Sequence, residues 1–320
     1  MRVLVTGGAG FIGSSLVEKL VKEGHNIIII DNMNDYYDPS IKENNIKGFV
    51  KTKVKFIKGD IRDQELINKI FKDNSIDLVV HLAAMAGVRY SIENPNLYYD
   101  VNVMGTLNLL EACRLNSVKK FVFASSSSVY GNNKSIPFKE SDSVDHPISP
   151  YAASKKAGEL MCHTYHHLHG MDIVALRFFT VYGPKQRPDL AIHKFTDLIY
   201  NNQPIPFFGD GTTQRDYTYI DDIIDGVTKS LHWCYNGQGV FEIFNIGESK
   251  TISLKDMVET ISRVMNKNIK YNYLPMQEGD VERTYSDVSK ARKLLGYNPS
   301  TEFSQGIKLF YEWYLANRGE

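Results

Sequence analysis

The N-terminal stretch constrains the fold more than any other part of the chain. Val3-Leu4-Val5-Thr6 is a short apolar run, and Gly7-Gly8-Ala9-Gly10-Phe11-Ile12-Gly13 follows it directly. An apolar-periodic helix then continues to about Lys22, and a second apolar run, Asn26-Ile27-Ile28-Ile29-Ile30, ends at Asp31. Glycines in this spacing permit a tight turn, a close backbone approach to a pyrophosphate, and tight packing of helix on strand. The phosphate meets the unpaired N–H groups at the helix start. An acidic side chain about 20 residues past the glycines can bind ribose hydroxyls. Glycines alone carry little weight, but strand, glycines, helix, strand and Asp in that order predict a dinucleotide site. Asp31 would repel a 2′-phosphate, and Asn32 rather than an arginine follows it, so NAD is expected over NADP.

Beyond this unit the chain alternates strand-like and helix-like segments. Apolar runs recur at 54–58, 77–82, 120–124 and 172–178. That alternation predicts an α/β fold built on a doubly wound parallel sheet. Ligands in such sheets lie beyond the carboxyl ends of the strands, where Asp60-Ile61, Leu82-Ala83-Ala84 and Ser125 to Ser128 fall. From about Phe178 the texture changes to more Pro, Gly and aromatic residues. We therefore expect a dinucleotide domain over 1–177 and a smaller mixed α/β lobe over 178–320. A segment at about 216–247 is expected to return to the sheet, because Phe241-Glu242-Ile243-Phe244-Asn245-Ile246-Gly247 reads as one more strand.

Bulk properties narrow the partners. At 320 residues the chain can bury a large core, and its 37 basic and 37 acidic residues balance, which argues against nucleic acid or a membrane surface. Cys113, Cys162 and Cys234 lack C-x-x-C spacing and suggest reduced thiols. A strand begins too early to leave room for a signal peptide, and no apolar run is long enough to span a bilayer. A cytoplasmic location is expected.

Tyr151 and Lys155 stand four apart in Ser149-Pro150-Tyr151-Ala152-Ala153-Ser154-Lys155. Ser149 can cap a helix and Pro150 suits its first turn, which puts the phenol and the amine on one face. A neighbouring ammonium favours a phenolate, so Lys155 would prepare Tyr151 to take a proton from an alcohol. The spacing alone is common by chance; with a dinucleotide site earlier in the chain it becomes a candidate catalytic pair. His163 and His167 also share a face, but with no H-E-x-x-H pattern beside them no metal site is expected.

Gly7 to Gly13, Asp60-Ile61, His81-Leu82-Ala83-Ala84, Val101-Asn102, Ser125-Ser126-Ser127-Ser128-Val129-Tyr130-Gly131 and Tyr151/Lys155 together resemble the extended short-chain dehydrogenase/reductases, in that family's order and over nearly the whole chain. The resemblance implies a Rossmann-type sheet holding NAD and a small lobe holding a nucleoside diphosphate sugar. It makes Ser126 the hydroxyl that joins Tyr151 at the reacting sugar oxygen, with Ser127 also near the sugar, and brings Asn102, Tyr151 and Lys155 to the nicotinamide ribose. For Asn102 and His81 ordinary strand-end hydrogen bonding is the competing reading. Helices near 97–113 and 151–168 form a dimer bundle in such enzymes, so a homodimer is implied.

Within the family, 4,6-dehydratases place an Asp-Glu pair at the positions of Ser127 and Ser128, and decarboxylases a Glu at that of Ser128. Neither is present here, which leaves oxidation and reduction at one carbon. Asn34-Asp35-Tyr36-Tyr37-Asp38-Pro39, Ala86-Gly87-Val88-Arg89-Tyr90-Ser91 and Leu176 to Asp189 resemble UDP-glucuronate 4-epimerases. Arg187 offers a planar fork suited to a carboxylate, with Thr180 as a neutral partner and Arg89 as a second cation. Lys185-Gln186 replaces the family's usual Trp-Gly and leaves the loop shape open. Arg215 matches the diphosphate-binding arginine, Phe208 would lie near uracil, and Asp280 would contact ribose. The implied reaction is NAD-dependent 4-epimerisation of UDP-glucuronate to UDP-galacturonate through a 4-keto intermediate. The alternatives are a 4-epimerase of a neutral or N-acetylated UDP-hexose (UDP-glucose or UDP-GlcNAc) and a non-catalytic NAD-binding protein of the same fold.

Overall fold

The computed structural model describes residues 1–51, 53–276 and 281–318. Six strands come first: β1 (Arg2–Thr6), β2 (Asn26–Asp31), β3 (Val54–Lys58), β4 (Leu78–His81), β5 (Lys120–Ser126) and β6 (Asp172–Phe178). Between and after them run α1 (Phe11–Lys22), α2 (Pro39–Lys47), α3 (Gln64–Asp73), α4 (Val88–Glu93), α5 (Pro95–Tyr99), a π turn (Asp100–Met104), α6 (Gly105–Leu115) and α7 (Pro150–His169). All six strands are parallel. β1 shows why both faces must be covered: Val3 and Val5 point into one apolar core and Leu4 into the other. A strand buried on both sides reads as a continuous apolar run, and helices close each face.

The remaining elements are β7 (Thr180–Tyr182), α8 (Ala191–Tyr200), β8 (Ile205–Phe208), β9 (Gln214–Arg215), β10 (Tyr217–Tyr219), α9 (Ile220–Asn236), β11 (Phe241–Ile246), β12 (Ile252–Ser253), α10 (Leu254–Met265), β13 (Tyr271–Leu274), α11 (Ser289–Leu295) and α12 (Phe303–Ala316). The main sheet has seven strands in the order β11-β6-β5-β4-β1-β2-β3. β11 lies parallel to β6 with Phe241 opposite Ile173 and Ile246 opposite Phe178, so the strand expected at 241–247 does return to this sheet. Three two-stranded pairs, β7/β10, β9/β12 and β8/β13, carry the rest of the C-terminal half. The order reverses direction between β1 and β4, and that switch point sets where ligands gather.

Candidate active site

The turn between β1 and α1 is built for close approach. Gly7 has φ +70, and a Cβ there would lie 2.8 Å from the Ala83 nitrogen. A Cβ on Gly13 would come within 2.1 Å of the Gly7 carbonyl oxygen. Gly10 N donates to Gly7 O at 3.1 Å, after which Phe11 and Ile12 open α1. Asp31 ends β2 and is buried, its carboxylate accepting from Ala9 N at 3.1 Å and from Met33 N at 3.0 Å. Asn32 donates to Asp60 at 2.9 Å. Arg62 holds the Asp60 carboxylate, through hydrogen bonds and charge, down to about 2 against the penalty of burial. Ile61 is buried against Gly105. Leu82, Ala83 and Ala84 follow β4, with Ala83 N donating to Thr6 Oγ1 at 3.1 Å. At this turn the cramped Gly7 and Gly13 and the open start of α1 fit a dinucleotide pyrophosphate.

The second cluster lies where β5 ends beside the start of α7. Ser149 Oγ accepts from Ala152 N at 3.1 Å, capping α7, with Pro150 in its first turn. Ser126 is buried, accepts from Ser128 N and donates to Ser128 Oγ, both at 3.1 Å. Burial raises the Tyr151 phenol above 10.0, while the Ser126 hydroxyl and the Arg187 charge pull it down. Lys155 leaves α7 on the same face as Tyr151. Its Nζ donates to the Ala124 carbonyl at 2.8 Å and stands 6.0 Å from the Tyr151 ring centre. Burial lowers its pKa to about 8.

Asn102 and His81 are braces. The Asn102 side chain accepts from Met85 N at 2.8 Å and donates to Met85 O at 2.9 Å and Ser154 Oγ at 3.0 Å, so both of its N–H donors are used within the protein. His81 sits between Thr6 (2.7 Å) and Thr106 (2.9 Å), and burial pushes its pKa down to about 3.

One candidate of the C-terminal half packs against the N-terminal half. Arg89 lies 5.7 Å from the Phe208 ring centre, so residues 119 apart in sequence meet across the two halves. Thr180 begins β7, its N–H donating to Asp216 O at 3.0 Å. Arg215 Nη1 donates to Gln214 O at 2.9 Å. Ser127 opens the turn after β5 and is partly buried. Asp280 lies outside the described residues. The loop that sequence left open is anchored: Lys185 pairs with Glu18 on α1, and the Gln186 amide is buried and donates to Val181 O at 3.2 Å.

Sequence reasoning missed three partners. Glu159 accepts from Ser125 at 2.6 Å and takes both ends of the Arg177 fork at 2.8 and 2.9 Å. Its place four residues beyond Lys155 was the available signal. Asp189 and Tyr36, which contact Arg187, stood in strings that carried the resemblance, but nothing in the sequence paired them with the arginine. The one His/Glu group among the described residues that could take a metal ion, Glu23 with His25 and His232, sits at the far end of α1.

The glycine cradle, the seven-stranded sheet and the Ser-Tyr-Lys cluster at its carboxyl edge define an extended short-chain dehydrogenase/reductase. Residues 4–310 match the family described as GDP-mannose 4,6 dehydratase, and the chain belongs to that family. It is 46% identical to a UDP-glucuronate 4-epimerase of Thermodesulfobacterium geofontis, over 98% of this chain and 96% of that one. UDP-glucuronic acid 4-epimerase from Bacillus cereus, solved with UDP-glucuronic acid and NAD, superposes with a TM-score of 0.93 at 38% identity over 99% of both chains. UDP-glucose 4-epimerase from Thermotoga maritima, solved with UDP-glucose, gives 0.91 at 32% identity over 99% of both.

Proposed function

We propose that the protein is an isomerase that interconverts UDP-glucuronate and UDP-galacturonate at C4, using NAD held in the glycine cradle. The observation that carries this reading is Arg187, a side chain only 17% exposed whose charge acts on the Tyr151 phenol. An arginine whose charge reaches the Tyr151 phenol offers the sugar acid a partner that a neutral hexose does not need. Serines at 127 and 128, in place of carboxylates, support epimerisation over the dehydration that the family's description names.

Bound NAD supplies a hydride acceptor that later returns the hydride. Tyr151, with Ser126 as hydrogen-bond partner, takes the proton of the 4-hydroxyl and returns it to the same oxygen when the turned-over ketone is reduced on its opposite face. Lys155 holds its charge beneath the site from Ala124 O. Thr180 and Arg187 receive the carboxylate, Arg215 the diphosphate, and Phe208 with Arg89 the nucleoside end. The ketone formed at C4 is β to the carboxylate, so the acid must be held against loss of carbon dioxide while the ring turns over.

The balanced charge and the three buried free cysteines support a cytoplasmic location; no described helix is long and apolar enough to cross a membrane. Residues 1–177, with the α9–β11 return, serve as the cofactor lobe, and the rest as the UDP-sugar lobe. Exposed apolar side chains on α5 to α7 support a homodimer. Purified protein incubated with UDP-glucuronate should yield UDP-galacturonate on anion-exchange separation. Turnover of UDP-glucose or UDP-GlcNAc with none of the acid would move the assignment to a neutral-sugar epimerase.

A further inference from the structure

Arg187 is held on two sides before any ligand is considered. Its Nε donates to Asp189 Oδ1 at 2.9 Å and its Nη2 to Oδ2 at 2.7 Å, so the side-on edge of the fork is taken by a residue two positions along. The guanidinium carbon lies over the ring of Tyr36, 5.0 Å from the ring centre, and Tyr36 is a residue of the loop after β2 and hence of the other lobe. Tyr36 is fixed in turn: its ring packs edge-on against Tyr90 at 5.0 Å, and its hydroxyl borders Gly87, 3.4 Å from where a Cβ would stand. A guanidinium has five N–H donors on a rigid plane. With two of them on Asp189, a second carboxylate can be received in a fork only at the edge that carries Nη1.

We propose that Asp189 and Tyr36 are positioning residues that fix the plane of Arg187, so that its Nη1 edge meets the sugar carboxylate in one orientation and gives the site its preference for acid sugars. The inference rests on the UDP-glucuronate reading. A long side chain already locked by its neighbours loses less freedom on binding than one that must first be ordered. Asp189 is 39% exposed, so water screens it from a second anion on the far edge. The fixed plane also bears on the intermediate. Decarboxylation moves the C5–C6 electron pair into the ketone, releases carbon dioxide and returns a proton to C5. Charge-assisted hydrogen bonds that keep the negative charge on the carboxylate oxygens oppose that shift.

The test compares wild type with Asp189→Asn, Asp189→Ala and Tyr36→Ala, alone and with Arg187→Ala. In the Arg187-intact enzyme we expect Asp189→Asn to raise KM for UDP-glucuronate roughly tenfold, the size of one lost charge-assisted contact. Inhibition by UDP, which reads nucleotide binding alone, should stay unchanged. The fraction of decarboxylated 4-keto pentose should rise in all three variants, most in Tyr36→Ala and Asp189→Ala. In the Arg187→Ala background Asp189→Asn should add almost nothing, because it acts through the arginine. A fall in KM would mean that Asp189 competes with substrate and would overturn the proposal. So would unchanged KM and product ratio, or equal losses in UDP and UDP-glucuronate affinity with a lowered Tm. A wild type that epimerises UDP-glucose but not UDP-glucuronate overturns the functional reading and this inference together; a wild type active on the acid with indifferent Asp189 variants overturns the inference alone.

Discussion

At the scale of the residue, the proposed chemistry rests on a phenol in an environment that opposes its ionisation. Burial raises Tyr151, and what offsets it comes from the Ser126 hydroxyl and the Arg187 charge. Lys155 contributes as a buried amine turned to the Ala124 carbonyl. Removing the phenolic oxygen leaves the ring, and with it the edge-on packing against Tyr98 at 6.1 Å, in place. Tyr151→Phe should therefore keep cofactor and sugar binding while turnover falls by roughly 10²–10⁴, the usual worth of general acid–base catalysis. Equilibrium dialysis with UDP-glucuronate and a product assay on one preparation check this; near-normal turnover would remove Tyr151 from the chemistry.

At the scale of the element, α7 is a ruler. Ser149 fixes its start, Gly170 in the left-handed region ends it, and Tyr151, Lys155 and Glu159 fall on one stripe between them. Gly158 lets the helix press against β5, since a Cβ there would lie 2.2 Å from the Phe123 ring. Glu159 then ties two strands' ends together, Ser125 on β5 and Arg177 on β6, and through Arg177, 4.8 Å from the Tyr130 ring centre, the turn after β5. Tyr130 passes the tie to Asn245 on β11 at 2.7 Å. Arg177 is 1% exposed and its Nη1 is already without a partner. Glu159→Ala would leave that charge uncompensated, and we expect a loss of about 3–5 kcal/mol in urea unfolding. Replacing both residues by apolar side chains of similar volume should cost much less. A loss below about 1 kcal/mol for the single change, no more than an exposed pair is worth, would show the tie to be ornamental.

At the scale of the whole molecule, the cleft is closed by contacts between its two halves, among them Arg89 with Phe208, Arg187 with Tyr36, and Lys185 with Glu18. Elsewhere the N-terminal half presents apolar side chains to solvent. Tyr99, Met104, Leu160 and Leu168 are 42 to 64% exposed along α5, the π turn and α7, and such a surface marks a protein–protein contact when it is contiguous. Light scattering should give a mass near twice the 36.4 kDa chain. Leu160→Glu combined with Leu168→Glu should shift it to the monomer. A wild type that stays monomeric at assay concentration would refute the dimer.

The sequence by itself determined what short-range sterics and periodicity decide. The glycine turn was legible because Gly7 and Gly13 occupy places where a Cβ has no room. The strands were legible because β1, β2, β5 and β6 are buried on both faces and so run apolar without a break. The start of α7 was legible because Ser149 and Pro150 carry their own local geometry. Only the tertiary structure decided which charges meet. Lys155 turns to a strand carbonyl, Glu159 reaches an arginine 18 residues away, and Arg187 is held by Asp189 and a tyrosine of the other lobe. Spacing along a helix fixes which face a side chain leaves from. Its partner depends on strand register, rotamer and burial, and those exist only once the sheet has assembled.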